Sequence, residues 1–282
     1  MDKTAGIPDS VRAAYESTAG YDLRVRTHEL YSVARPSWSE WFMQQVPRTG
    51  VRTVLDIGCG TGGLLRQLAA AGIGDHWVGI DQSEAMVQKA QALADEAGLA
   101  IEYRLGDLMD SPHEGECFDL VCACHMLYHV SDIAGAVSNC SHLLSPQGTF
   151  LAATNSGQTI KSHYPAVWSA VRERLPHMKL DPTPDHSRFT LENGAQYLVP
   201  SFDWIELRVR RDAFRFSEPA PWADYLKSGR DLRMTPGHTE EDWQQVARVI
   251  DDVAQAQLAD GALIVPKVAG MFLCRTPHLG TG

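Results

Sequence analysis

The sequence predicts an α/β fold: a doubly wound, largely parallel sheet that takes a ligand at the carboxyl ends of its strands. Three observations carry this reading. Val51, Thr53, Val54 and Leu55 lead into Asp56, and glycines 58, 60, 62 and 63 crowd the following turn. That is a buried strand ending in a loop where the backbone bends sharply and lets a ligand approach, because glycine has no Cβ to clash. A second apolar strand, His76–Asp81, also ends in an acid, about 20 residues past the glycines. Finally, residues 51–155 alternate strand and helix in short units, the pattern of parallel strands joined by crossover helices.

The elements follow in order. Residues 1–50 read as a helical lid, with helical spacing over Ser10–Ser17 and His28–Val46. Pro36 interrupts the second stretch, and Pro47-Arg48-Thr49-Gly50 closes it. The helix after the glycine loop spans Leu64–Ala71 and aims its N-terminal amides at the loop. Ser83 is the N-cap of the next helix, with Met86, Val87 and Ala90 on one face. Phe118–Val121 is a further buried strand.

After Asn155 the rhythm changes. Ile160–Leu175 reads as an amphipathic helix carrying Tyr164, Val167, Trp168 and Val171, and Pro176–Arg188 as a loop. A short helix over Phe189–Leu198 and a strand over Asp203–Val209 follow. Helices around Trp222 and over Glu240–Leu258 lead to a last strand, Val268–Cys274. The division expected is a lid (1–50), a ligand-binding core (51–155), and cap insertions plus the last strands (156–282), the insertions being 156–200 and 213–262.

Composition narrows the function. The 282 residues carry a formal net charge of −10, which disfavours nucleic acid and anionic membrane as partners. No apolar stretch approaches the roughly 20 residues of a membrane helix. Met1-Asp2-Lys3-Thr4 does not open a secretory signal, and six scattered cysteines read as reduced thiols, so a cytoplasmic location is expected.

The loop itself admits two readings. Gly58, Gly60 and Gly63 satisfy the GxGxxG spacing of a dinucleotide site. But Asp56, two residues before the first glycine, would repel a pyrophosphate and suits a ligand with an ammonium or sulfonium group. In this context Val54–Gly63, the strand His76–Asp81, Gly106-Asp107-Leu108, Phe118–Val121 followed by Met126–Val130, and Leu143–Phe150 resemble, in order, the motifs of the class I S-adenosylmethionine-dependent methyltransferases. The resemblance covers roughly residues 15–155, with a weaker echo to the end, and is nearest to the type 11-like, small-molecule group. One departure is Cys122-Ala123-Cys124, where the family more often has small polar residues.

The resemblance implies a Rossmann-like sheet of about seven strands, S-adenosyl-L-methionine as cofactor, and a small organic acceptor. By the same route, Asp56, Gly58 and Gly60 lie against the amino-acid end of the cofactor. Asp81 accepts from the ribose hydroxyls. Asp107 accepts from the adenine amino group, and Leu108 offers its amide. Cys59, Gln82, Met86, Cys124 and Tyr21 complete that set. The catalytic candidates are His125, Tyr128 and His129, which follow the fourth strand where open sheets place their ligand crevice. Tyr31, Asn155, Tyr164 and Trp168 are the acceptor candidates, although a tyrosine or tryptophan at helical spacing is as readily core.

Cys122, Cys124, His125 and His129 are closely spaced, but a zinc site needs four convergent ligands, and no metal is expected. Three alternatives stay open. The protein could consume S-adenosylmethionine without methyl transfer, by cyclisation or lysis releasing methylthioadenosine. It could methylate RNA, for which Arg208, Arg210, Arg211 and Arg215 are the densest basic run. Or it could bind the cofactor without turnover. A nicotinamide reductase is more remote. The oligomeric state is not legible.

Overall fold

A computed structural model describes residues 18–107, 115, 117–162, 164–178, 180, 186–230, 233–234 and 237–277. The stretch Ser10–Ser17 and Leu108 therefore lie outside the described residues. Seven strands form one sheet: β1 (Thr53–Ile57), β2 (His76–Asp81), β3 (Glu102–Leu105), β4 (Phe118–Cys124), β5 (Leu144–Asn155), β6 (Phe202–Phe216) and β7 (Leu263–Pro277). Their order is β3-β2-β1-β4-β5-β7-β6. The first five run parallel, while β7 is antiparallel to both neighbours. The chain reverses direction across the sheet between β1 and β4, which opens a crevice at the carboxyl ends of those strands.

Helices cover both faces. α1 (Ala19–Tyr31) and α2 (Trp38–Gln45) precede the sheet. α3 (Gly63–Ala70), α4 (Glu84–Glu96) and α5 (Ile133–His142) are crossovers. Leu68, Leu65, Phe42 and Ala94 pack on one face with Val54, Leu120 and Leu151. Val137, Ala136 and Leu198 pack on the other with Leu55, Val121 and Phe150. Each strand thus sends alternate residues to alternate cores, as a sheet buried on both sides requires.

A third core belongs to the cap. α6 (Gly157–Ser162), α7 (Tyr164–Arg174), α8 (Ala195–Leu198), α9 (Pro219–Lys227) and α10 (Glu240–Gln257) follow β5. Val167 and Trp168 of α7, Trp222 and Leu226 of α9, and Trp243, Val246 and Ile250 of α10 form one apolar cluster. A Thr239–Asp242 capping box starts α10. The cluster closes on Phe214, Phe216, Leu263 and Val265, so the β6–β7 hairpin runs out of the sheet into the cap.

The interruption expected at Pro36 falls between two helices: α1 ends at Tyr31, Ser32 bridges to Phe214 of β6, and α2 starts afresh from Ser37. Ser37 and Glu40 make a reciprocal capping box there, a signature present in the sequence and overlooked. The strand expected over Asp203–Val209 extends to Phe216, because Arg208, Arg210, Asp212, Phe214 and Phe216 continue the alternation. Residues 213–216, assigned to a cap insertion, therefore belong to the sheet. The last strand likewise starts at Leu263 rather than Val268.

Candidate active site

A cavity of about 710 Å³ runs along the carboxyl ends of the parallel strands and under the cap. That lies within the roughly 300–1,000 Å³ of small-molecule sites. Reading across the sheet, its wall is Asp107 after β3, Asp81 ending β2, Asp56 and Gly58 at β1, then Cys124 and His125 at β4. Asn155 of β5 comes next, followed by Lys267 and Ala269 of β7 and Arg210 and Asp212 of β6. Tyr21, Cys59, Gly60, Gln82, Met86, Tyr128 and His129 also line it.

The β1–β2 end is rich in hydrogen-bond acceptors. Asp56 is only 3% exposed, and its Oδ1 finds no partner among the described residues. Burial, and then the charge of Asp81, pushes its carboxyl up to about 8. The Oε1 of Gln82 is likewise buried without a described partner. Asp81 accepts Gly60 N–H on Oδ2 and Ser83 N–H on Oδ1, each at 2.9 Å, and burial raises its carboxyl above the usual range. The Gln82 amide bears on it as well, and the remaining acceptor positions of the carboxylate are left for a ligand. Ser83 also caps α4 by accepting the Met86 amide at 3.3 Å.

Glycine is required in the loop between these acids. Gly58 has φ +65°, and a Cβ there would stand 2.9 Å from Cβ of Met126. At Gly60, φ is +54° and a Cβ would meet the Tyr21 hydroxyl at 3.4 Å, so Tyr21 sits over the loop. The donor-poor, acceptor-rich set fits the ammonium and hydroxyl groups of an S-adenosylmethionine-like cofactor. Asp56 would take the amino group, and Asp81 the ribose.

His125 marks the middle of the cavity. It adopts φ 56°, rare for a residue with a Cβ and frequent at functional sites. Its amide donates to Ala153 O at 2.9 Å, and its ring lies 5.5 Å from that of Trp38. Burial, and then Lys267, lowers its imidazole to about 4, so it is neutral at pH 7. Tyr128 and His129 follow in a 3-10 turn, both buried, with ring centroids 4.5 Å apart.

Two acceptor candidates lie elsewhere. Tyr31 packs on Phe216 at 4.9 Å in the cap core. Trp168 is 4% exposed in the same core, with the Arg233 guanidinium 3.8 Å over its ring. Neither lines the cavity, because the helical stripe that suggested a pocket is the stripe that closes the cap. The side chain of Tyr164 is outside the described set. Among the described residues no group of three or more His, Cys, Asp and Glu side chains is placed to hold a metal. Cys122 is wholly buried, and burial raises the thiols of Cys59, Cys122 and Cys124.

The far end was missed in the sequence. Lys267 donates to His28 Nδ1 at 3.0 Å and Ser32 Oγ at 2.6 Å, and pairs with Asp212 at 3.2 Å. Burial lowers its ammonium, and burial together with Lys267 holds His28 well below the ordinary imidazole value. Arg210 lies two residues from Asp212 on the same face of β6. The arginines of this strand make no continuous basic patch, for Arg210 is 7% exposed and Arg208 pairs with Glu206 at 2.8 Å. The alternation through Phe216 is the signal that would have set Arg210 and Asp212 on one face.

Comparison with known proteins bears on the family and the fold. Residues 54–148 match the model of a methyltransferase domain. A ubiquinone biosynthesis O-methyltransferase of Xylella fastidiosa (strain 9a5c) is 30% identical over 213 residues, 75% of this chain and 74% of that protein. One from Azorhizobium caulinodans is 36% identical over 124 residues; the match takes in 44% of this chain and only about half, 47%, of that relative. The crystal structure of a putative methyltransferase from Bacillus halodurans C-125 superposes with a TM-score of 0.58 at 19% identity, covering 85% of this chain and 99% of that one. On sequence and on fold, the chain belongs to the class I S-adenosylmethionine-dependent methyltransferases.

Proposed function

We propose that this protein transfers the methyl group of S-adenosyl-L-methionine to an O, N or C atom of a small organic molecule. The observation that carries the reading is the continuity of one cavity. Unpartnered acceptor atoms of Asp56 and Gln82 stand at one end, and an aromatic cap compartment stands at the other.

When bound, S-adenosylmethionine supplies an electrophilic methyl on a sulfonium sulfur. The chain supplies position and a dry environment. Asp56 and Asp81 fix the two polar ends of the cofactor, with Asp107 beyond them. Tyr21, over Gly60, presents a ring to positive charge. Trp38, Trp222 and Tyr225 wall the acceptor compartment and exclude water. His125, neutral and central, offers a lone pair that orients an acceptor hydroxyl or amine for in-line attack. Tyr128 and His129 hold the adjoining wall. Six cysteines without a disulfide fit a reducing, cytoplasmic setting.

The test is a product analysis. The protein is incubated with S-adenosylmethionine alone, then with an extract of its host, and the products are identified by mass. S-adenosylhomocysteine together with a product heavier by one methyl is expected. Methylthioadenosine formed instead would establish turnover without methyl transfer.

A further inference from the structure

Charge is distributed unevenly along the cavity, and the far end holds a buried cation that its surroundings leave uncompensated. Asp212 is already paired: Oδ1 accepts the amides of Ala34 at 2.8 Å and Ala213 at 2.7 Å, and Oδ2 faces Lys267. Lys267 in turn spends its donors on Asp212, His28 and Ser32. Among the described residues Arg210 makes no ion pair, and of the acids only Glu40 feels its charge, from a distance. The Nη2 of Arg210 donates to the main-chain oxygens of Ala34 and Pro36, and its Nε is buried with no partner among the described residues. Glu40, the other nearby acid, is exposed and held in the Ser37 cap. Arg210 is 7% exposed, and a buried guanidinium without an ion-pair partner is costly unless something supplies the missing charge.

Arg210 stands apart from the cofactor end. β6 is four strands from β1 in the sheet, about 19 Å at 4.7–4.9 Å per strand. Asn155, Ala269 and Arg210 are consecutive partners across β5, β7 and β6, so Arg210 shares its level with the strand ends that border His125. Trp38, beside His125, and the paired rings of Phe214 and Tyr225 line the same cavity. The compartment is therefore flat-walled and aromatic, with a buried cation at its back.

We infer that the acceptor is a small carboxylic acid with a planar apolar body, its carboxylate bound by Arg210 beside Lys267 and its methyl-accepting atom directed toward His125. The inference rests on the methyltransferase reading above and names the substrate class for it. Arg is suited to the role because its planar fork of donors matches a carboxylate, and it stays charged when buried.

The experiment separates the two readings. S-adenosylhomocysteine is first titrated into the whole protein; absence of binding there strikes the methyltransferase reading itself. The loaded wild-type protein is then titrated with benzoate, 4-hydroxybenzoate and cinnamate, each against its primary amide. At least one acid is expected to bind tenfold or more tightly than its amide. Arg210→Gln is expected to erase that preference while leaving S-adenosylhomocysteine affinity within twofold. Amides bound as well as acids, or no acid bound by protein that does bind S-adenosylhomocysteine, would overturn the inference. So would an Arg210→Gln variant that loses S-adenosylhomocysteine affinity, since Arg210 would then serve the carboxylate of the cofactor. The wild-type comparison stands whether or not the variant folds.

Discussion

The two ends of the cavity are made differently, and they are starved of opposite partners. At the β1–β2 end, short parallel strands stop at acids, and the glycine loop 58–62 folds back on them through Asp81. Its buried unpartnered atoms are the oxygens of Asp56 and Gln82. At the β6–β7 end, a long antiparallel hairpin leaves the sheet and is packed by helices of the cap. Among the described residues its buried atoms without a partner are nitrogens, Nε of Arg210 at the cavity and Nε1 of Trp168 in the cap core. One end waits for a cation and donors, the other for an anion. A local loop motif thus builds the end proposed for the cofactor, whereas long-range strand pairing builds the end proposed for the acceptor.

The largest expected effect tests whether the cap is its own packing unit. Trp222 is fully buried, and its Nε1 donates to Gln257 at 2.8 Å. Trp222→Ala should cost about 3–5 kcal/mol of stability. Hydrogen exchange should rise across α9 and α10, and much less in β1 and β2. A uniform rise would mean that the two ends unfold as one.

Next in size is Asp81→Ala. Losing two charge-assisted hydrogen bonds to the ribose should weaken S-adenosylhomocysteine binding by about 2–4 kcal/mol, measured by calorimetry. Because Asp81 also accepts the Gly60 and Ser83 amides, the melting temperature of the ligand-free protein should fall as well. Lys267→Met, at the other end, should leave that affinity within twofold. Equal losses from both variants would erase the distinction between the ends.

A loop substitution probes the cofactor end alone. Gly62 has φ +72°, and a Cβ there would fall 2.2 Å from the Tyr103 hydroxyl. Gly62→Ala should destabilise by about 2–4 kcal/mol, from the left-handed backbone and the clash together. A thermal unfolding curve unchanged from wild type would show that Tyr103 swings away freely.

The smallest effect concerns α1. Arg24 donates to Ser228 O at 2.7 Å and His28 packs on Phe214 and Tyr225, so α1 is fastened to the cap; its Asp22 pairs with Lys89 of α4. If it closes over the cofactor, amides of residues 19–31 should gain protection when S-adenosylhomocysteine is present. Equal protection with and without ligand would make α1 a fixed wall.

The same asymmetry explains what the sequence made legible. Asp56 with the glycine loop, Asp81 and Asp107 come in order because three successive parallel strands, β1, β2 and β3, each end at the same edge of the sheet. His125 was visible as a histidine after a strand, but its left-handed backbone was not. Arg210 read only as part of a basic run, and Asp212 and Lys267 were not singled out, because what brings them together is the pairing of β6 with β7 across the intervening cap helices. Trp168 misled for a related reason: an aromatic stripe on a helix does not say whether it faces a core or a cavity.

The central claim is that the β1–β2 end binds a cationic cofactor through a carboxyl that burial keeps protonated beforehand. The folded value of Asp56, about 8, lies above its ordinary 3.8. Asp56 therefore contributes stability to the ligand-free protein that is fully present below pH 3.8 and lost as pH rises through about 8. A cofactor ammonium beside it favours the charged form, so binding expels the proton. The direct measurement is calorimetric titration of S-adenosylhomocysteine at pH 7 in two buffers of different ionisation enthalpy, on wild type and on Asp56→Asn. Micromolar or tighter binding is expected, with most of one proton released by wild type and none by the variant at that site. No binding by folded protein, or identical proton release from both, would contradict the account.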